Sequence, residues 1–174
     1  LEQKVRELQM PYAVFEISLS PSNDYKMQGK DDIEFLFSAN GDKKPIPLQK
    51  VASGGELSRI MLCIKALMAE YTGMPTMIFD EIDTGVSGSI ADKMGALIGR
   101  MGERMQIFAI THLPQIAATA NHHLLIAKSE RDGRTYTQVT TLDREGRKQE
   151  IARIIGGAEI TEITLQSAEQ MLAE

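Results

Sequence analysis

Val51-Ala52-Ser53-Gly54-Gly55-Glu56-Leu57-Ser58-Arg59, followed by Met77-Ile78-Phe79-Asp80-Glu81-Ile82-Asp83, is the pair of stretches that decides the fold. In the first stretch two glycines open a helical run, so bare backbone N–H groups at the positive end of a helix can approach a phosphate closely. In the second, a short apolar strand of the buried, parallel type ends in two adjacent carboxylates. Because ligand sites of parallel sheets lie at the carboxyl ends of strands, the stretches predict an α/β fold with a phosphate and Mg²⁺ site.

The glycine-containing stretch also has a purely local interpretation. Ser53-x-x-Glu56 ahead of an apolar helical run is a capping box, in which the Ser53 side chain bonds the N–H of residue 56 and Glu56 bonds back. A cap alone does not require Gly54 and Gly55, whereas the close approach of a phosphate does. The cap and the phosphate site are compatible, so the sequence allows both.

The carboxylate pair is the stronger chemical signal. Acidic pairs also occur where sheets meet solvent, but like charges at the end of a parallel strand repel unless a cation is present. We expect Asp80 to hold Mg²⁺ through its octahedral shell, and Glu81 to orient and deprotonate an attacking water. His112 ends the next buried strand. A lone histidine there is more often structural, but at the same sheet edge it can donate to a γ-phosphate oxygen.

The segments around these motifs alternate between strand and helix patterns. The first part predicts a short amphipathic helix over residues 1–8, strands over 12–19 and 33–37 joined by the polar loop Ser20–Asp31, and a connector over 40–47. The second part predicts a helix that ends near Gly73 and whose apolar face is Leu57, Ile60, Met61, Ile64, Leu67 and Met68. Four strands are predicted, at 76–79, 106–110, 123–128 and 135–142. Four more helices are predicted, at 89–101, 114–121, 147–155 and 164–173. Asp132-Gly133 predicts a hairpin turn between the last two strands. The alternation after residue 50 predicts a mostly parallel sheet packed by helices.

Composition limits the classes of function. The chain has 174 residues, enough for one domain with its own core, and 43% hydrophobic and 25% charged residues are ordinary for a globular protein. A net charge of −5 predicts no general affinity for nucleic acid. The single cysteine, Cys63, excludes an internal disulfide and is interpreted as a packing thiol. The pattern of histidines predicts no zinc site, and no apolar run reaches membrane-spanning length.

Four motifs in this order resemble the ABC ATPase superfamily. Ala-Ser-Gly-Gly-Glu resembles its signature motif, Asp80-Glu81 its Walker B motif, the turn from Asp83 to Gly88 its D-loop, and His112 its switch histidine. The glutamate that ends the signature stretch, and the coil-like N-terminal helix, resemble the SMC-like branch. From about Leu8 onward the chain resembles the RecN family of bacterial SMC-like DNA repair ATPases. The stretches that carry this likeness are 50–59, 79–88, 111–117 and 149–157.

The resemblance implies a fold and a domain organisation. It implies the C-terminal lobe of an ABC/SMC-type P-loop ATPase head, with a mostly parallel sheet flanked by helices and an N-terminal antiparallel strand pair. Residues 1–10 would be the end of a coiled-coil helix and residues 11–174 the half-head. No G-x-x-x-x-G-K-[ST] loop occurs in the chain, and the chain begins at Leu1. The Walker A loop is therefore expected from an N-terminal half of the same head.

The resemblance also implies roles and partners. ATP and Mg²⁺ would be the cofactors. Asp80, Glu81 and His112 would serve the nucleotide of their own head, and Asp83 would lie at a head–head interface. Four residues would contact the γ-phosphate of the nucleotide held by a second head: Ser53, Gly54, Gly55 and Glu56. The whole protein would act in double-strand-break repair, bind DNA and lie at the bacterial nucleoid in the cytoplasm, with no membrane partner, while the fragment alone would be inactive.

Other classes share parts of this pattern. The head of another SMC-like or ABC ATPase, including a transporter, would carry the same four motifs. A transporter domain would be preceded by Walker A and not by a coil. Asp80-Glu81-Ile82-Asp83 also matches the DExD motif of helicases, but that class leaves Ser-Gly-Gly-Glu unexplained. A non-catalytic module for dimerisation or DNA binding is the remaining alternative, and intact Asp80, Glu81 and His112 argue against it.

Overall fold

The computed structural model of the chain describes residues 1–27, 29–41, 44–51, 53–86, 88–157 and 159–173. The chain divides into two compact units. Unit 1 comprises Leu1–Pro75 and Ile82–Met94, and unit 2 comprises Thr76–Glu81 and Gly95–Glu174. Ala52 and Ser87, which belong to the predicted signature motif and D-loop, lie outside the described residues.

Unit 1 begins with a short helix and an antiparallel sheet. Helix α1 (Glu2–Glu7) buries Val5, and Leu8 directly after it is also buried. The sheet follows in the order β1-β2-β3, with β1 at Val14–Lys26, β2 at Gly29–Ser38 and β3 at Ile46–Pro47. Phe15 and Phe37 are paired across β1 and β2, with ring centroids 4.8 Å apart. The predicted antiparallel pair is therefore confirmed.

Two details of this sheet differ from the sequence-based expectation. The predicted loop Ser20–Asp31 is mostly strand: pairing continues to Pro21 opposite Asp31 and resumes at Lys26 opposite Gly29 after an irregularity. Its residues are largely polar and exposed, so no apolar alternation revealed them. The connector over 40–47 was not predicted to pair as a strand, because Pro45 and Pro47 cannot continue a ladder, yet Pro47 pairs with Leu36. A proline is tolerated there because β3 is the outermost strand. Asp42 and Lys43 of the connector lie outside the described residues.

Helix α2 (Gly54–Thr72) follows a 3-10 turn at Leu48–Lys50 and ends at Gly73, whose φ of +60° suits a left-handed C-cap. Its buried face differs in part from the predicted one: Ile60 is buried as predicted, and so are four residues outside the predicted face, Leu62, Cys63, Ala66 and Ala69. Leu57, Met61 and Met68 are partly exposed instead. Burial raises the pKa of the Cys63 thiol to about 11. The interpretation of Cys63 as a packing thiol is confirmed, since a neutral buried thiol is a poor nucleophile.

Unit 2 contains the parallel strands. Strand β4 (Thr76–Asp80) pairs in parallel with β5 (Gln106–Ile110), as predicted, and helix α3 (Ser89–Gly102) lies between them in sequence. Helix α4 (Pro114–Ala118) follows β5 and is shorter than predicted. Gly95 on α3 allows close packing on α4, because a Cβ there would lie 3.1 Å from the Gln115 carbonyl oxygen.

The rest of unit 2 is a hairpin and two helices. Strands β6 (Leu124–Arg131) and β7 (Arg134–Thr141) are antiparallel and turn at Asp132-Gly133, which confirms the predicted hairpin turn. Both φ angles are positive there, as a type I′ turn requires. Helix α5 (Arg144–Gly156) is capped by the Asp143 side chain, and α6 (Glu162–Ala173) packs on it. Together with α4 they enclose a small core of Ala117, Ile151, Ala152 and Ala168.

His123, just before β6, makes stability in unit 2 dependent on pH. Desolvation lowers its pKa, with the Arg147 charge acting in the same direction and Glu150 opposing. The folded pKa lies below that of the unfolded chain, about 6.5, so the unfolded chain binds the extra proton. We expect the neutral, buried His123 to contribute fully to the free energy of unfolding above about pH 6.5. This contribution falls as the pH drops below 6.5 and stops falling below the pKa of His123 in the folded chain.

Melting temperatures measured between pH 8 and pH 5 should fall less for His123→Gln than for wild type. The exposed His122→Gln is the matched control, and equal acid sensitivity of the two variants would contradict the assignment.

Candidate active site

The carboxylate pair lies where β4 ends. Asp80 is the last residue of β4, and Glu81 follows it with a φ of +49°. Met77 and Phe79 hold the strand by burying their side chains, while Asp80 and Glu81 are exposed. A left-handed conformation is uncommon for a residue with a side chain, and such residues cluster at functional sites. The backbone therefore turns sharply at Glu81, the residue expected to act as the base.

The histidine segment lies at the same sheet edge. Asp80 is in parallel register with Ile110, the last residue of β5, and Thr111 and His112 follow directly. The Leu113 N–H donates to the Thr111 hydroxyl oxygen at 3.0 Å, and Pro114 then opens α4. The exposed His112 thus lies in a short turn between β5 and α4. Unit 2 brings together the segments that carry three predicted site residues.

The phosphate-binding stretch lies at the start of α2, in unit 1. Ser53 is the N-cap, and its hydroxyl accepts from the Glu56 N–H at 3.4 Å, which confirms this half of the capping box. Gly54 is exposed, and a Cβ added to it would meet nothing within 4 Å, whereas Gly55 is buried. Arg59 donates to the Gly55 carbonyl oxygen at 3.1 Å and to the Leu8 carbonyl oxygen at 3.0 Å. The two glycines therefore have different surroundings.

The turn after the carboxylates also belongs to unit 1. Asp83 is fully buried, and the Val86 N–H donates to its carbonyl oxygen at 3.0 Å. Gly85 has a φ of +72° at the third position of this turn, where type II turns require a positive φ. A Cβ on Gly55 would lie 2.5 Å from the Gly85 carbonyl oxygen. This contact between Gly55 and Gly85 was not predicted, because nothing in either motif alone points to the other.

Asp80 suits a Mg²⁺ site that is completed by water and phosphate. Among the described residues, no group of three or more His, Cys, Asp and Glu side chains could hold a metal by itself. Mg²⁺ usually keeps several waters and is bound through one or two carboxylates and substrate phosphates. A single exposed carboxylate beside a proposed nucleotide therefore fits this ion. In the described part of the chain, no helix has the length and apolarity needed to cross a bilayer.

Comparison with solved structures defines the class of fold. The chain superposes on an Smc head domain from Pyrococcus yayanosii with a TM-score of 0.65 and 23% identity, over 86% of this chain and 27% of that one. An Smc head bound to the C-winged helix domain of ScpA gives a TM-score of 0.61 at 24% identity, over 83% of this chain and 41% of that one. The fold is that of an SMC head domain.

Sequence relatives give the particular family. The DNA repair protein RecN of Vibrio cholerae is 42% identical over 99% of this chain, and RecN of Bacillus subtilis is 45% identical over 84% of it. The chain belongs to the RecN family. It spans 31% of the Vibrio cholerae protein and 26% of the Bacillus subtilis protein, so it corresponds to between a quarter and a third of these relatives. No family model matches the chain.

Proposed function

We propose that the chain is the C-terminal part of the ATPase head of a RecN-type DNA repair protein. Residues 11–174 would form the half-head, and residues 1–10 the end of a coiled coil. The observation that carries this proposal is the exposed pair Asp80-Glu81 at the carboxyl end of a parallel strand, with Glu81 held in a left-handed conformation. Asp80 would bind Mg²⁺, Glu81 would deprotonate the attacking water, and His112 would donate to the γ-phosphate.

The start of α2 would contact a nucleotide other than the one that Asp80, Glu81 and His112 would serve. The exposed Gly54 and the Ser53 cap leave N–H groups accessible at the positive end of a long helix. We propose that Ser53, Gly54, Gly55 and Glu56 contact the γ-phosphate held by a second head, with Asp83 near that interface. A structure solved in a study of ATP-driven dimerisation and DNA-stimulated activation of SMC ATPases matches the chain with a TM-score of 0.59 and 19% identity. For the present chain, two ATP molecules between two heads are a proposal.

An uncovered sheet face supports a further partner, the N-terminal half of the head. Strand β4 was expected to be buried on both faces, but only Met77 and Phe79 are buried. Ile78, Phe108 and Ile110 are 64%, 42% and 49% exposed. Ile78 is paired with Phe108, and Ile110 with Asp80, so the three apolar side chains share one face beside the carboxylates. We propose that the Walker A half covers this face and completes the nucleotide site, so the chain alone would not turn over ATP.

DNA binding would be a property of the whole protein. The net charge of −5 gives this chain no general attraction for a polyanion. Contacts to DNA would therefore come from other parts of the protein or from a local basic surface. The proposed setting is the bacterial cytoplasm at the nucleoid, where broken DNA is repaired.

A complementation experiment tests whether the two sites serve different nucleotides. Glu81→Gln removes the base, while Gly54→Asp places a negative charge where the phosphate of the partner head would bind. The Gly54→Asp change should not unfold α2, because position 54 is open and an acid is favourable at a helix N-terminus. Each full-length variant alone should lack ATPase activity. In an equal mixture, heterodimers contain one intact site, and activity should recover to about a quarter of wild type. No recovery would mean that both elements serve the same nucleotide within one head.

A further inference from the structure

The hairpin of β6 and β7 in unit 2 has two faces of different chemistry, because alternate side chains of a strand lie on the same face. One face carries no carboxylate, and its exposed polar side chains are Ser129, Arg131, Arg134, Tyr136, Gln138 and Thr140. The other face carries the apolar Ile126 and Val139. Lys128 and Glu130 also belong to that second face, so it holds one charge of each sign. Positive charge without a carboxylate beside it is therefore confined to the first face, which we call the polar face.

Two arginines oppose one another on the polar face. Arg131 is the cross-strand partner of Arg134. The Cβ atoms of such a pair lie about 4.5–5.5 Å apart, and like charges in this position destabilise a hairpin. Across the part of the chain that the structure describes, neither guanidinium has an ion pair or a hydrogen bond. Of the neighbouring carboxylates, Glu130 is on the other face and Asp132 lies in the turn with a φ of +51°. A bound anion would neutralise the two arginines.

The shape and the side chains of the hairpin suit the phosphate backbone of DNA. A two-stranded ribbon fits the major groove of B-DNA, which is about 12 Å wide. A guanidinium binds a phosphate through two parallel hydrogen bonds. Hydroxyl and amide side chains such as those of Tyr136 and Gln138 are further donors to DNA phosphates. An acidic protein segment would use the two charges but would not need a ribbon with a row of donors, so the polar face favours DNA.

We propose that the polar face of the β6–β7 hairpin binds the phosphate backbone of duplex DNA, with Arg131 and Arg134 as its charged anchors. This face would be the local basic surface of a chain whose net charge of −5 gives no general attraction for DNA. The inference rests on the proposed function, since DNA is there the partner of the whole protein. It does not depend on ATP hydrolysis, so it can fail or hold separately from the ATPase site.

Equilibrium binding of a fluorescein-labelled duplex to the full-length protein, followed by anisotropy at several salt concentrations, tests the proposal. Arg131→Gln/Arg134→Gln should weaken binding by about tenfold or more near about 0.1 M salt. The slope of log K against log salt should become shallower by about two for each bound hairpin, because each lost phosphate contact releases about one fewer counterion. The loss should be the same for duplexes of different sequence, since phosphates carry no sequence information.

Two further measurements and a matched variant separate binding from folding and from net charge. The melting temperature of Arg131→Gln/Arg134→Gln should equal or exceed that of wild type, because the repulsion between the arginines is removed. Its ATP hydrolysis without DNA should be unchanged. The control is Lys93→Gln/Arg104→Gln, which removes the same two charges from exposed positions on α3 and just after it. This control should retain wild-type binding.

Wild-type affinity and salt slope in Arg131→Gln/Arg134→Gln would overturn the inference, and so would a wild-type protein that binds no duplex. An equal loss in the control would also overturn it, since the effect would then come from net charge. If poly-glutamate displaces the labelled duplex as well as unlabelled duplex does at the same charge concentration, the polar face binds an acidic protein segment instead. A wild-type protein that binds duplex but does not hydrolyse ATP would overturn the proposed ATPase function and leave the role of the hairpin intact.

Discussion

Replacing Glu81 by glutamine in the full-length protein is expected to lower ATP turnover by about 10²- to 10⁴-fold, the usual contribution of a general base. Binding of Mg-ATP should persist, because Asp80 and the phosphate contacts are unchanged. Turnover and binding can be measured separately, by phosphate release and by equilibrium binding of a labelled nucleotide. A matched change is Glu103→Gln, which removes an exposed carboxylate after α3 and should leave both quantities unchanged.

The backbone at Glu81 adds a second readout. A residue with a side chain loses about 1 kcal/mol in the left-handed conformation, and glycine does not. Glu81→Gly and Glu81→Ala should both abolish turnover, and Glu81→Gly should melt at the higher temperature, because both remove the side chain and only glycine avoids the backbone cost. Retained turnover in Glu81→Gln would reject Glu81 as the base and favour a non-catalytic module, the alternative that shares these motifs.

Replacing Ile78 by lysine is expected to destabilise the full-length protein by about 3 kcal/mol or more, because an unpaired charge would be buried beneath the N-terminal half of the head. In the present chain, Ile78 is 64% exposed, so a lysine there meets water and should cost little. Thermal unfolding of the full-length protein, followed by calorimetry, measures the effect.

Ile163→Lys is the matched control. Ile163 is 75% exposed near the start of α6, and the same substitution should change stability by less than about 1 kcal/mol. Scattered single apolar side chains are normal on a surface, whereas Ile78 shares its face with Phe108 and Ile110. Equal melting temperatures for the two lysine variants would contradict the proposal that the N-terminal half of the head covers this sheet face.

The elements could be predicted where their signals are local. The parallel strands β4 and β5, the cap at Ser53 and the Asp132-Gly133 turn follow from apolar runs, capping chemistry and turn chemistry within a few residues. The same local signals missed the long polar extensions of β1 and β2, because those residues are exposed and carry no period. They also misjudged part of the buried face of α2, where Leu62, Cys63, Ala66 and Ala69 are buried while Leu57, Met61 and Met68 are not.

The candidate site, too, could be predicted only in part from the sequence. By itself the sequence determined which residue types end the strands and open the helix, since phosphate, Mg²⁺ and water chemistry require carboxylates and bare amides at such ends. Only the tertiary structure decided that Glu81 is left-handed, that Asp83 is buried, and that Gly55 packs on Gly85 while Gly54 stays open. These features depend on contacts between segments distant in the chain, and no local pattern contains the shape of a distant partner.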